Sequence, residues 1–255
     1  MADNDDARLL VERDDHLLIL TMERASKRNA IDRKMADAID EALNQLDDDD
    51  TLWAGVITGG ESIFCAGSDL RSQGDYVTER GGEYGVIRRA RKKPLIAAVE
   101  GYALGGGLEI VLACDLVVAA KDARFGLPEV SIGVIPTCGG LFRAPNAFPL
   151  NLARELILTG EPIYAERAYA AGFVNRLTEP GEALAAARAL ASSVMKNAPL
   201  SVQNCLRSVN DVAAQSDELG WNLTQRALDG ISGTEDQREG VMSFLEKRSP
   251  EWKAR

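Results

Sequence analysis

Two acidic side chains set the chemistry this chain can attempt. Glu109 follows the run Gly105-Gly-Gly107, and Glu129 closes Phe125-Gly-Leu-Pro-Glu129 twenty positions later. Three adjacent glycines bring backbone close to something else, because they contribute no side chain of their own to packing. The apolar segment Leu108 to Ala113 predicts a helix, with the glycines at its N-terminus. Free N–H groups and the positive end of the helix dipole meet there, which makes a seat for an oxyanion. Two carboxyl groups flanking such a seat can exchange protons with whatever the seat polarises. Close carboxylates in a dry pocket do not both ionise easily, so one of them is expected to titrate high enough to act as an acid near neutrality.

The composition removes competing chemistries. The 255 residues include one histidine, His16, at the head of His16-Leu-Leu-Ile-Leu-Thr21, where an edge or turn position is expected. A Ser-His-Asp triad or a His-rich zinc site is therefore hard to build, and no metal site is expected. Cys65, Cys114, Cys138 and Cys205 are widely spaced without a CxxC pair, which predicts reduced thiols and a cytoplasmic setting. The net charge of −10 argues against a dedicated nucleic-acid surface. No apolar run reaches the length of a membrane span, and the acidic start Met1-Ala-Asp-Asn-Asp-Asp6 reads as neither a secretory nor a transit signal. Both nucleotide loops fail on spacing: Gly106 is followed by Gly107-Leu108 where a P-loop needs Lys-Ser/Thr, and Ile110 stands where GxGxxG needs its last glycine.

Several elements must position these groups. Arg8 to Glu12 and His16 to Met22 read as a hairpin, and Asp32 caps a helix running to about Leu46, apolar at Met35, Ile39, Ala42 and Leu43. The aspartates 47–50 are expected to form a solvated turn. Trp53 to Thr58 and Leu95 to Val99 read as buried strands, and Asp115 to Ala120 as a further strand. Arg71 to Gly85 is glycine-rich and predicted as a mobile loop. Val86 to Lys93 is predicted as a helix whose basic residues, Arg88 to Lys93, face solvent. From Asn151 onward the spacing is helical throughout, with helices expected over 152–158, 165–171, 181–196, 199–214, 217–229 and 234–247. The front of the chain alternates strands and helices, so the pattern alone predicts α/β with a helical tail.

Seven ordered segments give this chain a family likeness: Phe64-Cys-Ala-Gly-Ser-Asp-Leu70, Lys93 to Val99, Gly101 to Glu109, Cys114-Asp115, Phe125 to Glu129, Gly133-Val-Ile-Pro136, and Leu158-Thr-Gly160 with Ala165 to Val174. Together they resemble the crotonase (enoyl-CoA hydratase/isomerase) family over nearly the whole chain. That resemblance implies a crotonase-like spiral of β-β-α units, expected over residues 1–190. A helical region used for trimer assembly is expected over 191–255, the assembly being a homotrimer or a dimer of trimers. The implied substrate is an acyl-CoA thioester, with no cofactor beyond the CoA it carries and no nucleic-acid or membrane partner. The implied oxyanion donors are the backbone N–H groups of Ser68 and Gly106. Glu109 and Glu129 match the catalytic pair, Glu109 activating water and Glu129 delivering a proton to the α-carbon.

For the CoA moiety the resemblance points to Lys27, Arg28 and Ala30 in the first basic loop and to Ala66, Gly67, Asp69, Leu70 and Arg71 around the oxyanion turn. Phe244 and Lys247 match a C-terminal motif that reaches the CoA of a neighbouring subunit. Ser68 stands where alanine is frequent in the family, Thr137-Cys138 replaces a Gly-Ala pair, and Leu141-Phe142 replaces Thr-Gln. The implied activity is hydration of a 2-enoyl-CoA or the reverse dehydration. Double-bond isomerisation, thioester hydrolysis and decarboxylation occur on the same fold. A non-catalytic acyl-CoA binder or RNA-binding relative is the reading from a different class.

Overall fold

A computed structural model describes residues 8–70 and 76–255. Strands β1 (Arg8–Asp14) and β2 (Leu17–Glu23) form the expected hairpin, with the turn at Asp15 and His16. His16 stacks on Trp53 at 3.6 Å, and its Nδ1 lies 2.7 Å from the Thr51 carbonyl. Helix α1 (Arg33–Asp48) begins where Asp32 accepts from the Met35 N–H at 2.9 Å. Strand β3 (Ala54–Thr58) follows, then a small hairpin of β4 (Val77–Thr78) and β5 (Gly82–Glu83). Next come β6 (Leu95–Val99), β7 (Tyr102–Leu104), α2 (Gly106–Leu112), β8 (Leu116–Ala120) and β9 (Arg124–Gly126). The remainder is α3 (Gly140–Ala147), α4 (Leu150–Thr159), β10 (Ile163–Tyr164), α5 (Ala165–Ala170), β11 (Arg176–Thr178), α6 (Ala183–Met195), α7 (Pro199–Ala213), α8 (Asp217–Ile231) and α9 (Glu235–Glu246).

A six-stranded sheet runs β1-β2-β3-β6-β8-β11, antiparallel at the first pair and parallel thereafter. A smaller sheet runs β10-β9-β7. Successive turns of the chain feed a strand to the large sheet, a strand to the small one and then helix, as β6-β7-α2 does. The apolar strand runs follow from burial on both faces. Leu18, Leu20, Ile57, Leu95, Ala97 and Val99 point into the main core, while their neighbours Leu17, Ile19, Val56, Ile96 and Ala98 point to α6. α6 meets them with Ala183, Ala187 and Ala191, a small-residue stripe that lets the helix lie close to the sheet. α6 runs across residue 190, so this helix joins the sheet core to the helices after it. No helix among the described residues is long and apolar enough to cross a membrane.

Several local expectations are corrected. α2 starts at Gly106, so Gly106 and Gly107 form its first turn and only Gly105 precedes it. Helical structure resumes at α3, before Asn151. Tyr76 to Gly85 forms a structured hairpin, while 71–75 lies outside the described residues. Val86 to Lys93 forms successive turns, because its side chains are pulled inward to separate partners. Arg89 is buried between Asp40 and Asp47, and Arg91 pairs with Asp115. The Lys93 ammonium donates to the Leu46 and Asp49 carbonyls, both at 2.7 Å. Arg89 and Lys93 are thus a buried brace against the end of α1, Asp47 belongs to it instead of facing water, and Arg88 and Lys92 are exposed as expected.

Candidate active site

The first basic loop and the oxyanion turn lie side by side. Ile31 and Ser68 form a parallel bridge, with the Ile31 N–H donating to Gly67 O at 2.8 Å and the Asp69 N–H to Ile31 O at 2.9 Å. The Ala66 N–H donates to Arg28 O at 3.1 Å. Asn29 holds the loop from behind at φ 54°, its amide group donating to the carbonyls of Gly59, Ile63 and Phe64. Asparagine is among the few residues that tolerate this left-handed conformation. Buried Arg24 ties the two segments together, donating to Ala30 O at 2.9 Å and pairing with Asp69 at 2.9 Å and Asp32 at 3.3 Å. The Asp69 carboxylate is therefore spent on Arg24, inside the protein.

The structure thus brings together Lys27, Arg28, Ala30, Ala66, Gly67, Ser68, Asp69 and Leu70 on two adjacent segments. Arg28 and Leu70 are exposed there, Lys27 is half-buried and Ala30 is buried. Arg71 lies outside the described residues. Phe244 and Lys247 sit on the exposed end of α9, and among the described residues they hydrogen-bond to none of the others.

Each glycine of the 105–107 run faces a different neighbour, which is why no side chain fits. A Cβ on Gly105 would lie 3.1 Å from Glu129 Oε1, one on Gly106 would lie 2.4 Å from the Tyr84 hydroxyl, and one on Gly107 would lie 2.2 Å from Cys65 O. The last contact seats α2 on the turn that carries Ser68. A Cβ on Gly67 would in turn lie 3.0 Å from the Gly106 nitrogen. Among the described residues, neither the Ser68 nor the Gly106 N–H donates to a protein acceptor. Two free amides beside one another are a receptor for a carbonyl oxygen that gains charge.

Glu109 is buried on α2, and its Oε1 accepts from the N–H groups of Cys138 at 2.7 Å and Gly140 at 2.8 Å. Burial pushes its carboxyl up to about 7, although both amides pull the other way. Glu129 sits in the short helical turn Pro128–Ile132, which α9 covers so closely that a Cβ on Gly240 would lie 2.3 Å from Ile132 O. Its Oε2 is shut off from solvent and has no hydrogen-bond partner among the described residues. Burial, and then the charge of Glu109, push this carboxyl up to about 8. The asymmetry has a physical origin: the Glu109 anion has two amide donors from another turn, whereas Glu129 has only its own backbone amide, so Glu109 ionises first. Between those values the pair holds one proton, with a base at Glu109 and an acid at Glu129. If the pair drives the reaction, kcat is expected to rise through about 7 and fall through about 8. A pH–rate profile flat across that window would contradict the pairing.

Sequence reasoning missed three contributors. The Cys138 and Gly140 amides carry no side-chain signal, although the Gly139-Gly140 pair ahead of α3 marks a turn where backbone can approach another group. Tyr84 lies in a glycine-rich stretch whose composition resembles a plain loop. The four cysteines are all unpaired, as expected.

The spiral of strand–strand–helix turns, two free amides and an inward-facing glutamate pair define a crotonase-type fold. The chain belongs to the Enoyl-CoA hydratase/isomerase family, which it matches over residues 12–255. It is 35% identical to the 2,3-dehydroadipyl-CoA hydratase of Escherichia coli (strain K12), covering 98% of this chain and 100% of that protein. It is 37% identical to the carnitinyl-CoA dehydratase of Salmonella arizonae, covering 96% and 98%. Among solved structures, a carnitinyl-CoA dehydratase from Mycobacterium avium 104 superposes with a TM-score of 0.91 at 42% identity, covering 97% of this chain and 99% of that one.

Proposed function

We propose that this protein is an enoyl-CoA hydratase, adding water syn across the double bond of a 2-enoyl-CoA or running the same reaction backwards. The observation that carries the reading is buried Glu109 with Glu129, whose Oε2 is shut off from solvent, in the site of the free Ser68 and Gly106 amides. The thioester oxygen takes the two N–H groups, which stabilise the enolate as its charge grows; removing one such donor is worth roughly 10²–10³ in rate elsewhere. Glu109 takes a proton from water as its oxygen bonds to the β-carbon. Glu129 gives its proton to the α-carbon as the enolate collapses. The two relatives named above are a hydratase and a dehydratase, the two directions of this chemistry.

Isomerisation needs one proton shuttle, whereas this site keeps two carboxyls, which favours hydration. Net charge −10 disfavours an RNA-binding role. The substrate supplies its own CoA, so no further cofactor enters, and a cytoplasmic setting fits four free thiols. Lys27, Arg28 and Arg71 are the proposed cations for the CoA phosphates. Helices α7, α8 and α9 expose Leu200, Val209, Val212, Leu219 and Phe244, an apolar surface suited to subunit contact. A trimer, alone or paired, would cover it and would let Phe244 and Lys247 reach a neighbour's CoA.

Incubation with crotonyl-CoA tests the reading directly. Loss of the conjugated thioester absorbance, saturating with substrate, is the expected result. Tight CoA-ester binding without turnover of any enoyl-CoA would favour a binder instead, and RNA retained on a filter at physiological salt would favour the RNA-binding relative.

A further inference from the structure

Tyr84 is placed at a conformational cost that packing alone does not require. Its backbone lies at φ 56°, in the left-handed region that bulky side chains rarely adopt. Gly82 at φ 64° and Gly85 at φ 77° flank it, and its N–H donates to Tyr76 O at 3.0 Å, so the turn reverses tightly and drives the phenol inward. The residue is 3% exposed.

The hydroxyl meets three parts of the site. It lies 2.7 Å from Ser68 Oγ, on the turn carrying one of the two free amides. It rests against Gly106, which carries the other, so closely that a Cβ there would be 2.4 Å away. It also faces the side chain of Cys138, the residue whose N–H holds Glu109 Oε1 at 2.7 Å. Tyr84 Oη thus bonds the Ser68 turn and packs on the first residue of α2, at both sides of the carbonyl seat. We infer that Tyr84 is a positioning residue for this reaction, its hydroxyl holding the Ser68 turn against the start of α2 so that the two free amides of the carbonyl seat keep one spacing. A phenylalanine would fill the same volume without this link, and the strained backbone serves only to deliver the hydroxyl. The inference rests on the hydratase reading.

The test uses Tyr84→Phe, Ser68→Ala and the double variant in the full-length protein. Steady-state kinetics with crotonyl-CoA are measured beside the infrared carbonyl stretch of bound butyryl-CoA, labelled with ¹³C at its thioester carbon. Butyryl-CoA has no double bond to hydrate, so its stretch reports polarisation by the seat without turnover. Tyr84→Phe is expected to lower kcat about tenfold, with KM changed less than about twofold. The bound carbonyl should shift back toward its free frequency. The double variant should be no slower than Tyr84→Phe, because both changes break the same bond. Unchanged kcat and stretch would overturn the inference. So would a raised KM with intact kcat, which would make Tyr84 only a wall of the acyl pocket. If wild type hydrates no enoyl-CoA, the hydratase reading falls, and the carbonyl shift still decides the role of Tyr84. Should Tyr84→Phe fail to fold, Ser68→Ala breaks the same bond, and an unshifted carbonyl in that variant would overturn the inference.

Discussion

Glu109→Gln is expected to lower kcat for crotonyl-CoA hydration about a thousandfold, with little change in the protein's fold. Glutamine keeps an oxygen for the Cys138 and Gly140 amides and loses the base. Glu129→Gln is expected to cost a similar factor by removing the acid. The two variants should differ in their residual pH profiles. Glu109→Gln removes the limb near 7, and Glu129→Gln removes the limb near 8. Hydration at the wild-type rate in either variant would end the role given to that residue. The same carboxyls also weaken the fold. Both titrate above their ordinary value of 4.5, so between about 4.5 and about 8 the folded protein binds more protons than the unfolded chain. Stability contributed by their protonated forms is full below 4.5 and is lost as pH rises through the folded values. Glu129→Gln should therefore gain about 1–3 kcal/mol over wild type at pH 8 and little at pH 4.5, read by urea denaturation. Equal gains at both pH values would mean that the benefit is not one of ionisation.

Arg89→Leu is expected to destabilise the protein by about 3–5 kcal/mol, the largest effect predicted outside the site. The Arg89 guanidinium donates to Asp40 Oδ1 at 2.5 Å, to Asp47 Oδ2 at 3.2 Å and to Asn44 Oδ1 at 2.8 Å. Asp47 is 3% exposed as a side chain, and removing its paired cation leaves a buried carboxylate that keeps, among the described residues, a hydrogen bond from the Lys92 N–H. The damage would reach function, because the brace spans the stretch between Tyr84 and β6. Arg80→Leu is the control: the Arg80–Asp48 pair is 42% and 57% exposed, so its loss should leave the denaturation midpoint almost where it is. Similar denaturation midpoints for the two variants would show that the buried pairs contribute no more than surface ones.

The contrast between these arginines shows where sequence reading fails. Arg80, Arg88, Arg89 and Arg91 look alike along the chain, yet Arg88 is exposed and pairs with Glu83 while Arg89 is sealed beneath α1. Nothing local distinguishes them, since the burial of a charge depends on which carboxylates a distant element presents. The aspartates ending α1 are split in the same way, with Asp47 inward and Asp48 outward. The strands were easier to read. Leu95 to Val99 is apolar throughout because both of its faces are covered, and that signal needs no knowledge of the partner. The Asp32 cap is also a local event, made within one helical turn.

For the site, residue types and spacing alone determined a glutamate pair around a glycine-marked oxyanion seat, with triad, metal and nucleotide-loop chemistry removed. These conclusions concern which groups the chain possesses, and possession is a property of sequence. The resemblance proposed the division of labour between the glutamates, and only the tertiary structure supplies a physical ground for it. Glu109 meets the amides of Cys138 and Gly140, whereas Glu129 has an Oε2 shut off from solvent without a partner among the described residues and faces the charge of Glu109. A carboxyl's proton affinity depends on burial and on the donors aimed at it, and segments far along the chain supply both. Tyr84 follows the same logic, because its hydroxyl reaches Ser68 and Gly106 only once the chain has folded.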